Sequence, residues 1–203
     1  MKPPYGLKRL CRTDDDNSRL LQYMDKEHFD KTHKWNIKPT QEYWNELFRV
    51  SQYQIIWGGN NFTLPETEYF IVWDKLQTVD NFASAEYAWT NIPKPAKVFR
   101  YSIAQQEVHI RKKNGGKRHP TEKPKKLYEF LVREYVKPNW KVLDTHVGSG
   151  NSLLVYQENG LDFIGFEIDP MYFAKAQEML NSSKAQTSLF RPQESEYIQE
   201  SLM

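Results

Sequence analysis

Val142-Leu143-Asp144-Thr145-His146-Val147-Gly148-Ser149-Gly150-Asn151, followed further on by Phe166-Glu167-Ile168-Asp169, is the stretch whose reading decides the fold. The short apolar run from Lys141 to Leu143 reads as a buried parallel strand. It ends in an acid and a Gly-x-Gly turn, after which Ser152-Leu153-Leu154-Val155 opens a helix. Glycines at such a turn let the backbone bend tightly and approach a ligand closely. A second apolar run, Phe163 to Phe166, ends in Glu167, 17 residues after Gly150. An acid at that spacing, on the tip of the next strand, can hold a ribose diol through hydrogen bonds. Strand, glycine turn, helix, strand and acid make half of a nucleotide-binding α/β unit. The competing reading of the same residues is a glycine turn that only packs a helix against a strand.

Working outward, 203 residues suffice for one sizeable core and point to a single domain. One cysteine, Cys11, excludes an intrachain disulfide framework and points to a reducing compartment. No apolar run approaches the ~18 residues of a membrane span, and the first residues have no signal-peptide pattern. A cytoplasmic protein without a membrane partner is therefore expected. Five histidines without partner cysteines predict no metal site, and His28 and His33 read as solvated surface.

The net charge of +2 hides an asymmetry. Eleven Lys or Arg fall between Lys94 and Lys126 against Glu107 and Glu122, so this segment carries +9 and the rest −7. With Gly115-Gly116 inside it and Phe99 and Tyr101 beside it, the segment suits a polyanion such as DNA. A solvated loop that binds nothing is the bland alternative.

In chain order, Pro3-Pro4-Tyr5-Gly6 makes a rigid turn that presents an aromatic. Residues Cys11 to Pro39 read as a long polar loop. The spacing of Tyr43, Trp44, Leu47 and Phe48 predicts a helix from Thr40 to Val50, with Thr40 as N-cap. Strands are expected at Gln54–Trp57, Tyr69–Trp73 and Glu86–Thr90. Trp57, Trp73 and Trp89 read as core or pocket walls. Helices are expected from Lys125 to about Val136 and from Pro170 to about Leu180, followed by a polar tail over 181–203.

Three motifs now stand in a particular order: Pro3-Pro4-Tyr5-Gly6, then His119-Pro120-Thr121-Glu122-Lys123-Pro124, then Asp144 to Gly150 with Glu167 beyond. This order resembles the β-class DNA amino-methyltransferases of restriction–modification, which methylate adenine N6 or cytosine N4. In that permutation the catalytic motif precedes the cofactor motif. The resemblance runs from Pro3 to about Leu180. Ile55-Ile56-Trp57-Gly58-Gly59-Asn60 and Ile71-Val72-Trp73-Asp74-Lys75 look like phage and prophage-type members, hence a bacterial or phage-infected cell.

The resemblance implies an α/β, Rossmann-like S-adenosylmethionine-dependent methyltransferase fold with a mostly parallel sheet in permuted order. It implies one methyltransferase domain over 1–180. S-adenosylmethionine would lie against Asp144, Thr145, Gly148, Ser149 and Gly150, with Glu167 and Ile168 at its nucleoside and His119, Thr121 and Lys123 closing the other side. Pro3, Pro4 and Tyr5 would be catalytic: Tyr5 stacks on a base flipped out of the duplex, and the Pro-Pro backbone offers a carbonyl to its amino group. The basic stretch over about 93–118 sits where this class carries target recognition, with Lys97, Arg100, Arg111, Lys112, Lys113, Lys117 and Arg118 as DNA contacts. Its shortness implies a short recognition sequence on double-stranded DNA or help from a second subunit in a homodimer.

One position departs from the family. Active members carry Asp, Asn or Ser before Pro-Pro-Tyr, all hydrogen-bond acceptors, whereas Lys2 stands here and can only donate. Its charge would also repel a sulfonium. The family's strand immediately before the motif is expected to be missing too, which would leave an isolated chain marginally stable. A truncated version of a longer enzyme, a strand supplied by a neighbouring polypeptide, and an inactive remnant that binds DNA or cofactor all fit these two features. A nicotinamide-dependent oxidoreductase fits less well. It would want a third glycine where Leu153 stands, and it leaves Pro-Pro-Tyr without a role.

Overall fold

The computed structural model describes residues 3–5, 37–77, 83–102, 104, 119 and 121–190, with side chains as far as residue 185. Helix α1, Gln41–Val50, is amphipathic: Trp44 and Leu47 are buried and Tyr43 and Phe48 half-buried, while its polar residues face outward. Thr40 is extended at its N-cap position without a side-chain cap bond. Strands β1 (Ile55–Trp57), β2 (Phe70–Asp74), β3 (Ala85–Thr90) and β4 (Lys97–Arg100) form one sheet in the order β1-β3-β2-β4.

Alternation along the strands sends side chains to opposite faces of this sheet. Ile56 and Trp89 pack with Trp44 and Leu47 of α1. Trp57, Ile71, Trp73 and Ala88 pack on the other face against Leu127, Phe130, Leu131 and Tyr135 of α2, Lys125–Tyr135. The sheet is thus sandwiched between α1 and α2. Fully buried aliphatics such as Ile56, Ile71 and Leu127 each contribute about 1.5–3 kcal/mol of transfer free energy.

A second, two-stranded sheet holds β5 (Lys141–Asp144) and β6 (Asp162–Gly165), parallel and joined by α3 (Asn151–Glu158). Leu153, Val155 and Tyr156 of α3 bury against Leu161, Val147 and Ala176. Ala176 belongs to α4, Pro170–Phe190.

The expectation of a mostly parallel sheet is corrected here. β1 pairs with β3 and β2 with β3 antiparallel, so the four-stranded sheet is mixed, and among the described residues only β2·β4 and β5·β6 are parallel. The cause is chain length: only residues 75–84 join β2 to β3, too few for a helical crossover, so the chain must return antiparallel. Two further differences concern elements. β4 lies inside the basic segment, where no strand was expected, and α4 continues past Leu180, where the polar tail was expected. Among the described residues no helix is long and apolar enough to cross a membrane, and no cluster of three metal-ligating side chains occurs.

Candidate active site

The turn after β5 sits at the head of a cavity of about 590 Å³. Its backbone is shaped by Gly148 at φ 58° and Gly150 at φ 79°, left-handed conformations that disfavour other residues. α4 also packs closely on Gly150: a Cβ there would stand 2.7 Å from Met179 and 3.0 Å from Ala176. Asp144 secures the turn from below, accepting from the Ser152 hydroxyl at 2.6 Å and the His146 N–H at 3.2 Å. Asp144 and Gly150 therefore support the turn and do not line the cavity.

Glu167 crosses from the end of β6 to the turn. Its carboxylate accepts from the Gly148 N–H at 2.7 Å and the Asp169 N–H at 2.9 Å. Burial raises its pKa above the ordinary carboxylate value, partly offset by those two bonds. Each oxygen keeps a lone pair for a further donor, which is the chemistry that a vicinal diol requires. Ile168 beside it is 79% exposed and lines the same cavity.

The opposite wall comes from the segment around His119. His119 Nδ1 accepts from the Thr121 N–H at 3.2 Å, and its ring lies against Tyr172 with centroids 4.4 Å apart. Asn151, the first residue of α3, donates to the Glu122 carboxylate at 3.0 Å and the Lys123 carbonyl at 2.8 Å. This pair of bonds fastens the segment to the glycine turn. Lys123 lines the cavity, but its ammonium is bonded to Glu86 and lies over the Trp57 and Trp73 rings at 4.6 and 5.2 Å. Glu86 also pairs with Lys75 at 2.7 Å.

Pro3, Pro4 and Tyr5 line the same cavity. Tyr5 packs so closely on Gly58, at φ 70°, that a Cβ there would overlap its ring. Phe62 meets the Tyr5 ring edge-on at 5.9 Å. Burial and the nearby Glu86 carboxylate hold the Tyr5 hydroxyl well above its usual pKa, so it stays neutral. The three sequence motifs, far apart along the chain, thus meet around one cavity.

Sequence reasoning did not assign Tyr43 and Tyr128 to the site. Tyr43 of α1 is 2.7 Å from Thr145 Oγ1, and Thr145 Oγ1 is 3.0 Å from His146 Nδ1. Burial lowers the His146 pKa to about 4, so the ring is neutral at pH 7. Tyr43 gave only a helical periodicity, and nothing in a single sequence announces a contact 102 residues away. Glu122 and His146 stood inside quoted motifs and gained their roles only from contacts. Of the DNA-binding candidates, Lys97 and Arg100 lie on β4, paired with Glu134 at 2.6 Å and Asp74 at 3.4 Å, away from the cavity lining. Arg111, Lys112, Lys113, Lys117 and Arg118 lie outside the described residues, as do Lys2, His28 and His33.

The chain is 32% identical over 85 residues to the type II methyltransferase M1.MboII of Moraxella bovis, covering 42% of this chain and 33% of that protein. It is 22% identical over 223 aligned positions to the type II methyltransferase M.HinfI of Haemophilus influenzae, covering 90% of this chain and 62% of the relative. The chain thus spans a third to under two thirds of these relatives. Among solved structures, the complex of M1.HpyAVI with SAM aligns at 24% identity over 68% of each chain with a TM-score of 0.43, too low to carry an argument. The family model for DNA methylases (the N6/N4 methyltransferases) matches residues 2–178, and the chain belongs to that family.

Proposed function

We propose that the cavity binds S-adenosylmethionine and that the chain methylates an exocyclic amino group of a base in double-stranded DNA, with adenine N6 the favoured target over cytosine N4. The observation that carries this reading is the meeting of Pro3-Pro4-Tyr5, the His119 segment and the glycine turn with Glu167 around one cavity. The residues present fit the cofactor. A 590 Å³ cavity is within the usual range for small-molecule sites, and its acid has lone pairs left for a ribose.

When bound, S-adenosylmethionine supplies an electrophilic methyl group. The chain's own residues do the positioning. Glu167 would hold the ribose hydroxyls, with Gly148 and Ser149 forming the floor and His119 and Thr121 the facing wall. Tyr5, neutral and braced by Gly58 and Phe62, offers its ring to an unstacked base, while the Pro3-Pro4 backbone offers carbonyl acceptors to the amino group. An amino nitrogen held this way keeps its lone pair directed at the methyl. Alignment, not acid–base strength, is what this transfer requires. The basic segment serves the duplex phosphates in the cytoplasm, with a second copy of the chain as the source of any further contacts.

A second reading is favoured by one residue. Lys2, a donor, stands where an acceptor belongs, so the chain binds cofactor and DNA without transferring the methyl group. Transfer of labelled methyl from S-adenosylmethionine to unmethylated DNA, run for the chain and for Lys2→Asp, separates the two. The enzyme reading expects N6-methyladenine in the digested product of the chain itself. Labelling by Lys2→Asp alone would establish the second reading, and cofactor binding with no labelling by either variant would overturn the transfer proposal.

A further inference from the structure

A chain of hydrogen bonds runs from α1 into the cavity that Glu167 and Tyr5 share. The Tyr43 hydroxyl is 2.7 Å from Thr145 Oγ1, which is 3.0 Å from His146 Nδ1, and all three residues line the cavity. The Tyr43 ring also meets the His146 ring edge-on at 5.7 Å. The His146 N–H donates to Asp144, so its backbone and one ring nitrogen are both held. The other ring nitrogen, Nε2, makes no hydrogen bond among the described residues.

Acidity sets the order of donors along this chain. Burial holds the Tyr43 phenol above its usual pKa, so it keeps its proton. A phenol donates more readily than an aliphatic hydroxyl. Tyr43 therefore donates to Thr145 Oγ1, and the Thr145 hydroxyl donates to His146 Nδ1. A neutral imidazole whose Nδ1 accepts carries its proton on Nε2. Burial also keeps His146 neutral at pH 7, so Nε2 offers an uncharged N–H.

The surroundings point to what that N–H meets. From Tyr43, ring contacts lead to Trp44 at 5.0 Å, on to Phe62 at 4.9 Å and then to Tyr5 at 5.9 Å. The rim beside Glu167 is different: Phe166 and Ile168 are exposed and apolar there, which suits a nucleoside. The side joined to Tyr5 is the one for the sulfonium and the amino-acid part. A carboxylate is the cofactor's one anionic group and takes N–H donors in strong, charge-assisted bonds. A neutral donor binds it without setting a second cation beside the sulfonium.

We propose that His146 binds the carboxylate of S-adenosylmethionine through its Nε2–H, and that Tyr43 is the positioning residue that fixes this tautomer through Thr145. The contact rests on the cofactor reading given under the proposed function, and its test does not measure transfer.

Isothermal titration of the parent, His146→Phe and Tyr43→Phe is run with S-adenosylmethionine and with 5′-methylthioadenosine, which keeps the nucleoside and lacks the amino-acid part. His146→Phe is expected to weaken S-adenosylmethionine about tenfold or more and to leave 5′-methylthioadenosine within about twofold. Retained binding of the second ligand shows that the site is still folded. Tyr43→Phe keeps the imidazole and releases its tautomer. A smaller loss is expected there, with the nitrogen NMR spectrum of the His146 ring moving from the Nε2–H pattern towards a mixture. An Nδ1–H pattern in the parent would overturn the role of Tyr43. Equal losses for the two ligands in His146→Phe, or no loss for either, would overturn the carboxylate contact alone. No binding of S-adenosylmethionine to the folded parent would overturn the cofactor reading and the contact with it.

Discussion

Glu167 is held between the Gly148 and Asp169 N–H groups while burial raises its pKa. An acid so raised is more protonated in the folded chain than in the unfolded one. Its ionisation therefore opposes folding as pH rises through the window above the ordinary carboxylate value. Glu167→Gln is expected to leave Tm within a few degrees while weakening nucleoside binding at least tenfold, because a neutral amide accepts poorly from a diol; calorimetric titration checks both. His146 shows the opposite sign. Its folded pKa of about 4 lies below the unfolded value, so the unfolded chain holds the extra proton and stability is lost as pH falls from about 6.5 to 4. His146→Gln is expected to remove on the order of 2–3 kcal/mol of that acid sensitivity, read from urea melts at pH 7 and pH 4. Gly58→Ala meets both a left-handed φ and the Tyr5 ring, and should cost about 2–3 kcal/mol while displacing the aromatic. Glu167 was legible in the sequence because its spacing from a glycine turn is a local signal. Tyr43 and Tyr128 were not, since their periodicity reports only which helix face is buried.

At the scale of elements, the His119–Pro124 segment is fixed at Glu122 and Lys123: Asn151 ties both to α3, and Lys123 plants its ammonium on Glu86 between two tryptophans. A buried ammonium that loses its partner, or a carboxylate that loses its cation, is costly. Lys123→Met should destabilise by about 3 kcal/mol, the low end of that range, because Lys75 still neutralises Glu86. A denaturant midpoint unchanged from the parent would show that the pair contributes nothing. The sequence placed α1, α2, β5, α3 and β6 because each carries its own period or its own punctuation by glycine and proline. It missed β4, whose Lys97-Val98-Phe99-Arg100 reads as part of a charged segment until β2 is beside it. It also misjudged strand direction, which is set by the short connection over 75–84 and not by the side-chain pattern of either strand. The end of α4 escaped because a polar helix past Leu180 has no apolar stripe to announce it.

Across the whole molecule, three motifs spread over more than 160 residues converge on one cavity, while the mixed sheet and the parallel pair stand on either side of a second one. The order of the motifs was legible in the sequence, since each is short and local. Their convergence was not, because it depends on how two sheets pack through α2 and α3. The central claim is that the glycine turn and Glu167 form a nucleoside site facing Tyr5. Isothermal titration of the folded chain with S-adenosylmethionine, without DNA, tests it most directly and does not depend on what Lys2 does to transfer. The account predicts one site per chain and an affinity at least tenfold weaker in Glu167→Gln. No binding to the folded chain, or equal affinity in the two proteins, would contradict it.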